Sequence, residues 1–190
     1  MMGFIKSSFK VVWYCCLLLL IFSTVFPCSN WSQDKESVSF ERDTLITVAR
    51  EIMKTARFCA LVTLDQTGQP QVRTMDPFTP EKNMVVWFGT NSNTRKVKEI
   101  HNDQRVSHYY ADPGGSGYVT ITGVAHIVDD EQEKLKWWKE EWNIYYSDKE
   151  NDYILIKVIP ERLDILSYKH GIIGDPENWR TPSIEFKAGE

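Results

Sequence analysis

Two kinds of apolar patterning divide this chain. Residues 11–33 carry no charged side chain, and residues 11–26 (VVWYCCLLLLIFSTVF) are almost wholly apolar. From about residue 39 onward, apolar positions recur at short periods between turn residues, as in a folded body. Over residues 39–57, Phe40, Leu45, Val48, Ala49, Ile52, Met53 and Ala56 fall at three- and four-residue steps. That spacing predicts a helix burying one face, with Ser39 or Asp43 as its cap. Two strands joined by a turn follow: residues 58–64 (FCALVTL), 65–68 (DQTG) and 69–76 (QPQVRTMD). Residues 84–89 (MVVWFG) are apolar enough for a central strand. A short helix over 94–102 and a strand over 105–110 come next. A loose hairpin at 113–117 (PGGSG) then leads into the long strand 118–128 (YVTITGVAHIV). Helical spacing returns over 130–142, with Leu135, Trp138 and Trp142 on one face. Two last strands, 153–159 and 163–168, hinge on Pro160, and residues 171–190 carry no pattern.

Antiparallel strands with short turns and few helices predict a mainly β fold, a small closed or split β-barrel. Six strands, an N-terminal helix and two peripheral helices are expected. The glycine-rich segment 113–117 feeds a strand, so it lacks the helix N-terminus that a phosphate loop requires.

The leading segment reads as an address. Lys6 and Lys10 precede the uncharged run, which has the form of a signal peptide or a short membrane anchor. Cys28, just beyond the run, also fits a lipoprotein anchor. An export signal places the body outside the cytoplasmic membrane; an apolar extension packed on the body leaves it cytoplasmic. The expected organisation is therefore a signal or anchor at 1–28, a polar linker at 29–39, a domain at 40–170 and a tail at 171–190.

Charge and composition narrow the function. The chain has 22 Lys+Arg against 26 Asp+Glu, net −4, which argues against nucleic acid as a partner. Cys15, Cys16, Cys28 and Cys59 form neither a disulfide framework nor a zinc motif. His101, His108, His126 and His170 are scattered without the pairing a metal needs.

Residues 90–98 (TNSNTRKVK) carry the clearest chemistry. They close an apolar strand and open a helix with Arg95, Lys96 and Lys98 in its first turn. Cations there have the wrong sign for the helix dipole, and a bound dianion reverses the penalty. Thr90, Thr94, a forked guanidinium and a compact ammonium are suited to a phosphate. Arg73 sits mid-strand on the side of Gln71 and Met75, and needs either an internal acid or the same anion as its partner.

Taken together, these segments resemble the pyridoxamine 5′-phosphate oxidase-like FMN-binding split barrels, in their general stress protein 26 branch. The likeness covers about residues 43–168. It rests on 60–65 (ALVTLD), 68–70 (GQP), 73–75 (RTM), 86–90 (VWFGT), 94–96 (TRK), 105–106 (RV) and 118–125 (YVTITGVA). The resemblance implies FMN as cofactor and a homodimer with the flavin between subunits. Arg73, Thr74 and Met75 would border the flavin ring and ribityl chain. Thr90, Thr94, Arg95 and Lys96 would grip the phosphate, and Gly89 would be a further cofactor-binding position. Tyr118 falls where the oxidases often place a glutamine reaching flavin from the second subunit. The C-terminal Arg and His that bind substrate in the oxidases have no match here. Two functions follow: a flavin-dependent oxidoreductase, or a flavin-binding stress protein without turnover. A haem-binding split barrel using His170 is a third.

Overall fold

The computed structural model describes residues 40–187; the predicted signal, anchor and linker lie outside the described residues. Helix α1 (Arg42–Ala56) buries Leu45, Val48, Ala49, Ile52 and Met53, the face that the apolar spacing predicts. Its N-cap position is Glu41, which makes no side-chain cap bond. Asp43 instead lies within the first turn, where its charge suits the helix dipole. Among the described residues, no helix is long and apolar enough to cross a membrane.

Seven strands follow: β1 (Cys59–Leu64), β2 (Pro70–Met75), β3 (Val86–Asn91), β4 (Arg105–Ala111), β5 (Gly117–Val128), β6 (Tyr153–Ser167) and β7 (Ser183–Glu185). They form one antiparallel sheet in the order β2-β1-β4-β5-β6-β3, with β7 paired to β6. Helix α2 (Arg95–Asn102) follows β3, while α3 (Glu131–Lys136) and α4 (Lys149–Asp152) lie between β5 and β6. The sheet curls so that its two edge strands approach. Beyond β2 the chain reaches β3 through a Pro77–Phe88 bridge, and the Phe78 N–H donates to the Trp87 carbonyl at 2.9 Å. That contact partly closes the barrel and leaves β2 itself unpaired with β3. This is the mainly β split barrel that the strand pattern predicts.

Leu61, Phe88, Val119, Ile121, Leu163 and Ile165 fill the interior, and α1 packs into the same core. A second apolar layer covers the opposite side of β3 and β6. There Trp87, Tyr153 and Leu155 meet Phe78, Trp137, Trp138, Trp142 and Tyr146.

Three expectations need correction. Residues 153–159 and 163–168 form one strand, because Pro160 sits where the β5–β6 register shifts, between Thr122 and Gly123. A bulge tolerates a residue without an N–H, so proline does not end the strand. The helix expected over 130–142 stops at Trp137 and resumes as a 3₁₀ turn, Glu140–Ile144. Trp138 and Trp142 pack inward while Leu135 is exposed, so the three do not share a buried face. Within the unpatterned tail, Ile172 and Ile184 enter the core and β7 extends the sheet.

His108 on β4 is completely buried between Phe88 and Tyr110. Its Nδ1 meets the Tyr110 hydroxyl at 3.2 Å, and its Nε2 has no partner. Burial pushes its pKa down to about 3, from an ordinary 6.5. Between those values the unfolded chain binds more protons than the folded one, so stability falls as pH drops through that window. At pH 4.5 the group should cost about 2–3 kcal/mol relative to neutral pH. Urea unfolding of His108→Leu at both pH values should lack that share of the loss; an undiminished loss would show that other groups carry it.

Candidate anion site between the barrel edges

Burial along β2 alternates, with Gln71 and Arg73 half-buried, Met75 buried, and Pro70, Val72 and Thr74 exposed. Arg73 therefore shares the inner face with Gln71 and Met75, as strand periodicity requires. Its partner is an internal acid. Arg73 Nη2 lies 2.7 Å from Glu99 Oε2, and Nη1 donates to Thr63 Oγ1 at 2.5 Å. The Thr63 hydroxyl in turn donates to the same Glu99 oxygen at 2.5 Å. Glu99 comes from the buried face of α2, beside Val97 and Ile100.

The opening turn of α2 brings the other cations. Arg95 Nε lies 2.9 Å from Glu99 Oε1, one helical turn on, while 69% of the Arg95 side chain stays exposed. Lys96 Nζ donates to Thr90 Oγ1 at 2.8 Å, and Thr90 is buried on β3. Burial lowers the Lys96 pKa and the neighbouring Arg73 charge lowers it further, while Glu99 acts in the opposite sense. Thr94 occupies the N-cap position without capping the helix; its hydroxyl donates to the Asn91 carbonyl at 2.9 Å. The first N–H groups of α2 thus have no side-chain cap from Thr94.

Of the residues singled out in the sequence, Arg73, Thr90, Thr94, Arg95 and Lys96 gather around this helix start. The others do not. Thr74 is exposed on the outer face of β2, and Met75 is buried in the core. Gly89 faces the aromatic layer, where a β-carbon would fall against the Trp142 ring and 2.6 Å from Tyr153. Tyr118 lies on β5, three strands from β2 along the sheet, its ring 5.6 Å from that of Tyr109. Sequence reasoning missed Glu99 and Thr63. Two signals pointed to them: the four-residue spacing of Arg95 and Glu99, and the alternation that turns Thr63 inward with Cys59 and Leu61.

Residues 45–165, spanning α1 to β6, match the family described as pyridoxamine 5′-phosphate oxidase like. The chain belongs to this family. General stress protein 26 of Bacillus anthracis is similar, at 23% identity over 62% of this chain and 90% of its own, with a TM-score of 0.54. A Clostridium acetobutylicum protein related to general stress protein 26 has 17% identity, covering 77% of this chain and 97% of its own, with a TM-score of 0.62. A Nostoc punctiforme pyridoxamine 5′-phosphate oxidase-related, FMN-binding protein has 14% identity over 80% of this chain and 98% of its own, with a TM-score of 0.56. These likenesses establish the fold. A stretch of 119 residues is also 24% identical to part of alpha-amylase 3 of Dictyoglomus thermophilum, over 54% of this chain. This chain spans only 23% of that relative's length.

Proposed function

We propose that this pyridoxamine 5′-phosphate oxidase-like chain binds FMN and acts as a flavin-dependent oxidoreductase. One observation carries the reading. Three cations, Arg73, Arg95 and Lys96, gather near a single carboxylate, Glu99, which pairs with the two arginines, so the helix start keeps two excess positive charges. A phosphate monoester brings about −1.5 to −2 charges at neutral pH, which balances that excess. The depressed Lys96 pKa fits the same picture, since a dianion beside the ammonium reverses the cost of burying it. The residues present therefore fit the phosphate of FMN.

In this reading Lys96, held by Thr90, and the exposed guanidinium of Arg95 grip the phosphate, together with the α2 N–H groups. Arg73 stiffens the neighbouring strand edge, along which the exposed Thr74 borders the cofactor, while Met75 stays in the core beneath it. When bound, the flavin supplies hydride or electron transfer at its own ring, while the protein positions it and tunes its surroundings. A homodimer belongs to the same proposal. Thr74 stands across from Ala60, and Ala60 from Tyr109, so these residues share the outer face of the sheet. Val72 is 63% exposed and Tyr109 40% exposed there, and Tyr118 lies beside Tyr109. A second copy on that face would bring Tyr118 toward the flavin of its partner.

The purified protein reconstituted with FMN should bleach with NADH or NADPH and recover its colour in air over repeated cycles. Bound flavin that never cycles would instead support a carrier or sensor. That second reading has one observation in its favour. His170, in the turn just before the tail, is tied to the chain, with Nδ1 2.9 Å from Ser167 Oγ and Nε2 3.2 Å from Glu51. It is thereby withdrawn from substrate, and from the axial role a haem site would ask of it.

Arg95→Ala tests the phosphate contact. A charge-assisted hydrogen bond is worth about 1.5–3 kcal/mol, and exposure puts Arg95 at the low end. FMN affinity should fall roughly tenfold while riboflavin, which lacks the phosphate, is unaffected. Arg95→Lys should restore part of the loss, because it keeps the charge without the fork. Equal losses for both flavins would remove Arg95 from the phosphate site.

A further inference from the structure

Resting on the phosphate reading above, the geometry points to Glu99 as a resident counter-anion that competes with the cofactor phosphate and sets how tightly it is held. Glu99 is 4% exposed, and its two oxygens face two of the three cations of the site. Oε2 takes Arg73 and the Thr63 hydroxyl. Oε1 lies 2.9 Å from Arg95 Nε, yet it is buried and accepts no well-aligned hydrogen bond. The carboxylate is thus well satisfied on one side and poorly on the other, on the side turned to Arg95.

Two consequences follow from that arrangement. Without cofactor, Glu99 neutralises part of a cluster whose members would otherwise repel one another, so the site stays assembled. With cofactor, any anion held by Arg95 and Lys96 shares those cations with a buried negative charge close by. Like charges in a poorly solvated setting repel strongly, so the carboxylate weakens the phosphate's grip. A site built only for tight retention would place a neutral residue here. Glu99 makes the cofactor exchangeable.

Glu99→Gln keeps the size of the side chain, and its amide oxygen can still accept from Arg73 and Thr63. The full chain and this variant would be titrated with FMN and with riboflavin, following quenching of flavin fluorescence. The variant should hold FMN roughly tenfold or more tightly than wild type, with riboflavin unchanged. Its melting temperature should start lower and rise further on adding inorganic phosphate. A variant recovered unfolded in chloride buffer should refold in phosphate. Unchanged or weakened FMN binding by Glu99→Gln, or no phosphate rescue, would overturn the role given to Glu99. Equal binding of FMN and riboflavin by wild type would instead overturn the phosphate reading beneath it.

Discussion

Lys96→Met should cost the protein more of its FMN affinity than any other single change at the site. Lys96 is the least solvated cation of the pair at the helix start, and its ammonium is aimed by the buried Thr90 hydroxyl at 2.8 Å. A charge in that setting is screened far less than the exposed Arg95 guanidinium. Losing it should weaken FMN about a hundredfold, equivalent to the upper range of a charge-assisted hydrogen bond. Riboflavin should bind as before. Folding should hold or improve slightly, because methionine fills similar space without the desolvation cost that lowers the Lys96 pKa. The same cost gives a pH signature in the free protein. Between the lowered pKa and the ordinary 10.5, the unfolded chain binds more protons, so wild-type stability gains a contribution as pH rises. Lys96→Met should lack that gain. A variant that loses FMN and riboflavin equally would mean that Lys96 supports the fold rather than the phosphate.

Gly123→Ala should be among the most damaging small substitutions in the barrel. At this position β5 and β6 change register, and a β-carbon would collide with the Ile159 carbonyl oxygen and lie 3.0 Å from Pro160 Cα. Both obstacles are backbone, so no side-chain rotation relieves them. The expected loss is about 3 kcal/mol or more, at the upper end for overpacking. Gly114→Ala offers the control, because its added carbon meets only an Asp112 carboxylate oxygen at 3.2 Å, in an exposed turn. Urea unfolding of the two variants should separate them clearly. Near-equal midpoints would show that the bulge yields without cost.

Much of this architecture is legible in the sequence where local pattern and tertiary demand agree. The α1 face and the inward turn of Arg73 follow from period, and the β1–β2 hairpin from the turn residues 65–68 between two apolar runs. Legibility fails where a residue's usual meaning is overridden. Pro160 reads as a break, yet the bulge opposite Gly123 absorbs it within a continuous strand. The tryptophans at 137, 138 and 142 suggest one long helix face, but packing around Tyr153 instead splits them between a helix end and a 3₁₀ turn. Ile172 is paired in sequence with the exposed Ile173 between two glycines, and Ile184 lies between Ser183 and Glu185, so no sustained periodicity marks either as core. Glu99 is the most consequential case. A glutamate amid lysines on a short helix reads as solvent-facing, and only the distant strand positions of Thr63 and Arg73 show that it is buried. Residue identity revealed the cations; the topology supplied their counter-charge.

On this proposal the α2 start beside the barrel edge recognises a phosphate. Titrating the flavin-free wild-type chain with FMN and with riboflavin in the same low-salt buffer tests it most directly. FMN should bind at least about a thousandfold more tightly, the combined contribution of Lys96, Arg95 and the helix start. Equal affinities for the two flavins would contradict it.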